Sequence, residues 1–247
     1  MNVSLYQAAA ALNANSRWQE TIADNLAASS IPGYKKQELS FGAVAAGFMP
    51  ASAQGASRFS LPHAAPSINF QPGELKFTGV KSDVALQGSG FLAVQMPDGN
   101  TAYTRDGELQ ISSSGQLVTK QGFAVLGEGG PIQLDLNNPA PVSISATGEV
   151  SQGADLKGTL RAVQFSDPNL LTPISRGFFL ANSSNLKTSP AVDTTFHQGY
   201  LEGANTSPTM EMAHLITSMR MYEANQRVIQ AQDDRMGRAI TELGNPT

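Results

Sequence analysis

The chain has 247 residues, of which 40% are hydrophobic and only 15% charged, and its formal charge is −4. That length allows one or two domains with a real core, and the mild acidity gives no electrostatic reason to expect nucleic acid, since phosphate binding needs clustered Lys and Arg. Cysteine is absent, which excludes disulfides, thiolate catalysis and cysteine metal sites. No run of about 18 apolar residues exists to span a membrane. The start, Met1-Asn2-Val3-Ser4-Leu5, lacks the basic and long apolar stretches of a cleaved signal peptide. A cytoplasmic protein is therefore expected, or one exported by a route without a cleaved signal.

The first predicted element is a helix from about Asn2 to Ser30. Ser4 with Gln7 forms a capping box, and Pro32-Gly33 ends the segment. Leu5, Leu12, Gln19 and Leu26 recur every seven residues, with Ala8, Asn15 and Ile22 as the partner series. This is a thin heptad on an Ala-rich helix.

Tyr34 to Val80 follows with no convincing period, and Ala, Gly, Ser and Pro dominate Gly42–Pro66. The composition reads as an extended connector that gains structure by packing against neighbours.

From about residue 81 to 202 the pattern becomes short strands separated by turn residues. Pro97-Asp98-Gly99-Asn100 separates Phe91–Met96 from Thr101–Arg105 and predicts a hairpin. Asp106-Gly107, Ser114-Gly115, Gly129-Gly130-Pro131 and Thr147-Gly148 continue the punctuation. Gln116–Lys120, Phe123–Leu126, Val142–Ser145 and Thr159–Phe165 are further strand candidates. The prediction is a compact β domain, sandwich or barrel-like.

The last element is a long helix from Ser207 to about Leu243, with Ser207 as N-cap and Pro208 in the first turn. Met212, Met219, Gln226, Asp233 and Ile240 are spaced by seven, as are Leu215, Tyr222, Ile229, Met236 and Leu243. Glu223 to Arg227 and Asp234 to Arg238 are acid-first pairs one turn apart, which support an exposed helix. Gly237 costs about 1 kcal/mol relative to Ala. The fold class is α+β. A discontinuous helical coiled-coil domain (1–33 with 203–247) frames an extended connector (34–80) and an inserted, mainly β domain (81–202). Two heptad helices at opposite ends suggest an antiparallel pair. Its single seam, weakened by Asn15, Gln19, Gln226 and Asp233, gains further buried faces only when copies pack side by side. The assembly-seam residues are Leu5, Leu12, Ile22, Leu26, Met212, Leu215, Met219, Tyr222, Ile229, Met236, Ile240 and Leu243.

The search for chemistry finds no constellation. Gly88-Ser89-Gly90-Phe91-Leu92-Ala93 fits a loose dinucleotide fingerprint, but it runs into a strand rather than the helix such a site requires. His63, His197 and His214 lie in three different zones, and none has a second ligand at metal-binding spacing. No serine occupies a G-x-S-x-G elbow. The methionines of the last helix read as seam packing rather than a binding groove. No catalytic residue, cofactor or metal site is expected.

Ile22-Ala23-Asp24-Asn25-Leu26-Ala27, followed by Ser29-Ser30-Ile31-Pro32-Gly33-Tyr34-Lys35, resembles the N-terminal signature of bacterial flagellar rod and hook proteins. Tyr200-Leu201-Glu202-Gly203-Ala204-Asn205, Glu211-Met212 and Arg220-Met221-Tyr222-Glu223-Ala224-Asn225 resemble the matching C-terminal motif. Asp83–Gly88, Gly90–Val94 and Ala102-Tyr103-Thr104-Arg105-Asp106-Gly107 are similar to the middle block. Asn25, Pro32, Gly33, Tyr34, Arg220, Glu223 and Asn225 are the motif positions singled out. Ala28 stands where the family usually has a second Asn. The Pro32-Gly33 turn, the short connector and Gly127-Glu128-Gly129-Gly130-Pro131 resemble the proximal-rod branch more than the distal-rod or hook branches.

The resemblance implies a non-enzymatic structural subunit of the basal-body rod. It would be exported unfolded through the flagellar type III apparatus and polymerise in the periplasm with copies of itself and with proximal and distal rod subunits. Its terminal helices would line the tube that transmits motor torque to the hook. The competing class is a ligand-binding or enzymatic β domain with coiled-coil ends, which nucleotide or metal binding by residues 81–202 would favour.

Overall fold

A computed structural model of the chain describes residues 3–46, 59–175 and 177–244. The described residues form two units, both discontinuous in sequence. One comprises residues 3–27, 37–46, 59–67 and 208–244; the other comprises 28–36 and the described part of 68–207.

The first unit is built on α1 (Val3–Ala27) and α2 (Pro208–Gly244), which pack against each other. α2 begins with proline, whose missing N–H costs nothing in the first turn, and carries Glu211 there, where a carboxylate suits the positive end of the helix. Trp18 meets His214 at a ring separation of 6.3 Å, and Ala11 and Asn15 share a cavity wall with Met221 and Asn225. Lower numbers on one helix thus meet higher numbers on the other, so the pair is antiparallel.

The buried edge of α1 runs through Ala8, Asn15, Ile22 and Asn25, and that of α2 through Glu211, Leu215, Ser218, Tyr222, Asn225 and Ile229. Leu215, Tyr222 and Ile229 are half-buried, as in the expected register. The companion series lies one residue earlier than expected, at Glu211, Ser218 and Asn225 rather than Met212, Met219 and Gln226. Met212, Met219 and Ile240 are 52%, 50% and 72% exposed. The Ala- and Asn-lined face of α1 is thus met by Glu211, Ser218 and Asn225 beside the half-buried Leu215, Tyr222 and Ile229, while Met212, Ile216 and Met219 stay outside.

Residues 34–80, expected as a connector, are divided between the units. β1 (Gln37–Ala46) and β2 (Phe59–Ile68) pair as a two-stranded sheet, and β1 packs on α1, with Phe41 edge-on to Trp18 at 6.0 Å. Pairing satisfies the backbone of this low-period sequence. The stretch 47–58, part of the expected connector, lies outside the described residues.

The second unit is the β domain. Its main sheet runs in the order Thr172–Ser175, Phe178–Leu180, Thr101–Thr104, Phe91–Gln95, Ala124–Gly127, Leu117–Thr119 and Leu109–Ile111. The central strand is apolar over most of its length because it is covered on both faces. Leu92 and Val94 enter a cluster with Val84, Val125, Val150 and Phe196, while Phe91 and Ala93 join Tyr103, Phe165 and Phe179. The predicted hairpin pairs Leu92 with Thr104 and Gln95 with Thr101. Its turn places Gly99 at φ +83°, a conformation glycine adopts without a Cβ clash. Thr159–Phe165, expected as one strand, is two: Asp155–Thr159 ends and Ala162–Phe165 begins on a different partner, with Leu160 bridging Gly127.

Candidate functional site

Among the described residues no cluster of three metal-ligating side chains occurs, and no helix is long and apolar enough to cross a membrane. His197 bonds Gln87 Oε1 at 2.8 Å, and His214 lies 3.8 Å from the Glu211 carboxylate. The Gly88-Ser89-Gly90 turn joins two strands, with the Gly90 N–H donating to Thr194 Oγ1 at 2.9 Å.

The densest polar construction lies in the β unit, on residues that belong to the family motifs but to which sequence reasoning assigns no role. Glu202 is 1% exposed and sits in the strand Tyr200–Glu202, which pairs with Leu75–Phe77. Its Oε1 accepts from Lys35 Nζ at 2.5 Å and from the Gly73 N–H at 2.8 Å, and its Oε2 lies 3.4 Å from Arg105 Nη1. Its carbonyl accepts from the Gly33 N–H at 2.7 Å. Lys35 and Arg105 are buried with it, so two cations share one carboxylate.

Carbonyls take much of the remaining donor capacity. Lys35 also donates to Gln71 O at 2.9 Å, and Arg105 donates to Gly88 O at 2.5 Å and Leu86 O at 3.4 Å. The Arg105 guanidinium also lies over the Phe91 ring at 4.9 Å. Burial pulls both cations below their ordinary pKa values, and the Glu202 carboxylate opposes that shift in each. Removing the carboxylate would strand two desolvated like charges, which places this cluster among the changes that cost several kcal/mol (about 3–5).

Local sequence explains how the three charges reach one point. Gly33 adopts φ +67°, and a Cβ there would overlap the Arg105 carbonyl, so only glycine lets the turn after Pro32 approach the Arg105 backbone this closely. Asn205 closes the same region from the other side. Its Oδ1 accepts from the Lys36 N–H at 2.6 Å, and its Nδ2 donates to Asn69 O at 2.7 Å and Gln71 O at 3.0 Å. The Pro-Gly-Tyr-Lys, Thr-Arg-Asp-Gly and Leu-Glu-Gly-Ala-Asn stretches therefore meet in space. Beside them, Asp106 is 1% exposed, and its carboxyl is raised to about 6, chiefly by burial.

In the helical unit, Asn25 is 1% exposed and clamps the start of β1 to α1. Its Nδ2 donates to Gln37 O at 2.8 Å, and its Oδ1 accepts from the Gln37 N–H at 2.9 Å. Of the other expected positions, Tyr34 and Ile22 are buried, Pro32, Leu12, Leu26 and Asn225 are half-buried, and Arg220, Glu223 and Met236 are exposed. Leu5 and Leu243 lie within α1 and α2. The structure does not gather the expected positions into one site. Pro32, Gly33 and Tyr34 belong to the β unit, and the rest belong to the helical unit.

The architecture is a helical unit made from both ends of the chain, with a β unit in which buried charges hold distant segments together. Residues 85–152 match the flagellar hook protein FlgE/F/G D1 domain, and residues 197–242 match the flagellar basal body rod FlgEFG protein C-terminal region. The first match contains Arg105 and the second Glu202. The flagellar basal-body rod protein FlgF of Escherichia coli K12 is 32% identical over 264 aligned residues, covering 97% of each chain. FlgF of Mesorhizobium japonicum is 32% identical over 99% of each, and FlgG of Buchnera aphidicola from Acyrthosiphon pisum is 35% identical over 66% of each. The chain belongs to the flagellar basal-body rod protein family.

Proposed function

We propose that the chain is a non-enzymatic structural subunit of the proximal rod of the bacterial flagellar basal body, polymerising through its terminal helices into the shaft that carries torque from motor to hook. The observation that carries this is the outer face of α2. Met212, Ile216 and Met219, about one turn apart on one face, are half-exposed or more, and the largely polar residues 233–241 are exposed beyond them. A contiguous apolar stripe left uncovered on a helix marks an interaction surface, and the family supplies the occupant: copies of this chain and neighbouring rod subunits. Full-length alignment with FlgF proteins supports the proximal position. The FlgG matches favour the distal rod as the second reading. Passage through the flagellar type III apparatus to a periplasmic rod, with no cleaved signal, belongs to the same proposal.

The test is the double variant Ile216→Asp, Met219→Asp. Both side chains are solvent-exposed, so folding stability should change by no more than about 1 kcal/mol in total, while incorporation into basal bodies and motility should be lost. Normal incorporation of a folded double variant would refute the assignment of this stripe. Co-purification with FlgG-type neighbours on both sides, rather than at one end, would favour the distal reading.

A further inference from the structure

We infer that Glu202 is a shared latch: one buried carboxylate holds both the segment that leaves α1 (28–36) and the segment that enters α2 (199–207), so the two release together and not separately. The use of such a latch in a torque-carrying shaft rests on the structural-subunit reading; its geometry does not.

The bonds run between the two segments in both directions. The outgoing segment is held by the Gly33 N–H on Glu202 O and by Lys35 Nζ on Glu202 Oε1. The Lys36 N–H donates to Asn205 Oδ1, and the Asn205 N–H returns to Tyr34 O at 3.3 Å. The incoming segment is held by the Gly203 N–H on Glu74 O at 2.8 Å and by the ladder from Tyr200–Glu202 to Leu75–Phe77. Gly73 lies so close that a Cβ would overlap the Gly203 carbonyl. Neither segment can leave without breaking bonds made by the other.

Electrostatics makes the coupling cooperative. If the incoming segment opens and takes Glu202 with it, Lys35 and Arg105 are left buried without an anion. Lys35 relieves that by moving to solvent, which carries Gly33 through Lys36 away, or by giving up its proton in the interior. If the outgoing segment opens first, Glu202 loses its closest cation and an N–H on its carbonyl, leaving a buried carboxylate with only Arg105 and the Gly73 N–H. Either single opening leaves the Lys35–Glu202 pair broken with one member still in the interior; the joint opening brings both to solvent and leaves Arg105 on the Leu86 and Gly88 carbonyls. The stretch after α1 and the stretch before α2 are therefore one mechanical element.

Native-state hydrogen exchange on the full-length chain in rising, sub-denaturing urea tests this. The Gly33, Lys36 and Asn69 amides report the outgoing side; Gly203 and Asn205 report the incoming side. All five are expected to merge into one opening isotherm with a common slope, below the isotherm of Ala93 and Ile132 in the core. Glu202→Gln, which keeps the shape and removes the charge, should accelerate all five by one common factor of about tenfold or more, and Ala93 and Ile132 by no more than that factor, because the charge contacts are lost in the larger opening as well. If that variant unfolds the whole unit, the unmodified chain still decides the matter. Separate isotherms for the two sides in the unmodified protein, or acceleration confined to Gly203 and Asn205 in a folded variant, would overturn the latch. Exchange is read on the unassembled chain, so failure of the rod assignment, seen in basal-body incorporation, leaves this result untouched.

Discussion

At the scale of single residues, the most consequential groups are charged side chains that the fold has removed from water. Asp106 shows how such a group ties stability to pH. Burial, with a contribution from the Glu108 carboxylate, raises its carboxyl to about 6 against the Glu108 N–H bond that favours the ionised form. The folded value lies above the ordinary 3.8, so between about pH 4 and 6 the native chain holds a proton that the unfolded chain has lost. Buried Asp106 therefore carries no ionisation penalty below about pH 4, and stability falls as pH rises from there through about 6. Asp106→Asn keeps an acceptor for the Glu108 amide and removes the titration. In urea melts the variant should gain on the parent by about 2–3 kcal/mol between about pH 4 and 7.5, because a tenfold difference in proton affinity between folded and unfolded chains is worth about 1.4 kcal/mol. A constant difference across that range would show that Asp106 is not the titrating group. The same removal from water makes Glu202, Lys35 and Arg105 interdependent, although 167 residues separate the first two.

At the scale of elements, the helix pair shows why register matters more than hydrophobicity. α2 turns Ser218, 0% exposed, inward and leaves its neighbour Met219 half in solvent. Ser218→Leu should overpack this position and lower stability by about 1–3 kcal/mol, whereas Met219→Ala should change it by no more than about 0.5 kcal/mol. Helical circular dichroism during urea unfolding reads both, and the reverse ranking would move the seam back to the Met series. Two adjacent residue series on α2 fit a spacing of seven, and apolar content favoured the outer one. The slim, Ala-rich partner is instead met by the series that contains Ser218 and Asn225. The Phe91–Arg105 hairpin was legible because its turn residues lie between its own strands. Thr195–Gln198 and Tyr200–Glu202 were not, because their partners, Val84–Gln87 and Leu75–Phe77, lie more than a hundred residues away. The charge cluster was invisible for the same reason: Lys35, Arg105 and Glu202 each look like an ordinary polar residue beside a turn.

At the scale of the whole molecule, neither unit is a continuous stretch of chain. The antiparallel register, with Ala11 near Met221 and Trp18 near His214, places the start of α1 opposite about residue 229. Roughly the last fifteen residues of α2, about 22 Å at 1.5 Å per residue, therefore extend beyond it. Truncation after Gln232 should leave the thermal transition of the chain within about 2 °C of the parent, given that exposed positions contribute little, yet prevent incorporation into basal bodies. A large loss of thermal stability would mean that this overhang already has a partner within the chain. The β unit has its own dependence on distant sequence. Phe196 fills its core, and the strand around it completes the edge at Val84–Gln87. A growing chain that stops short of Phe196 therefore still has an open sheet and a hole where an aromatic ring belongs, and its first helix has no second one to lie against. Each unit therefore stays open until a segment from late in the sequence joins it, so the order of the chain itself postpones compaction.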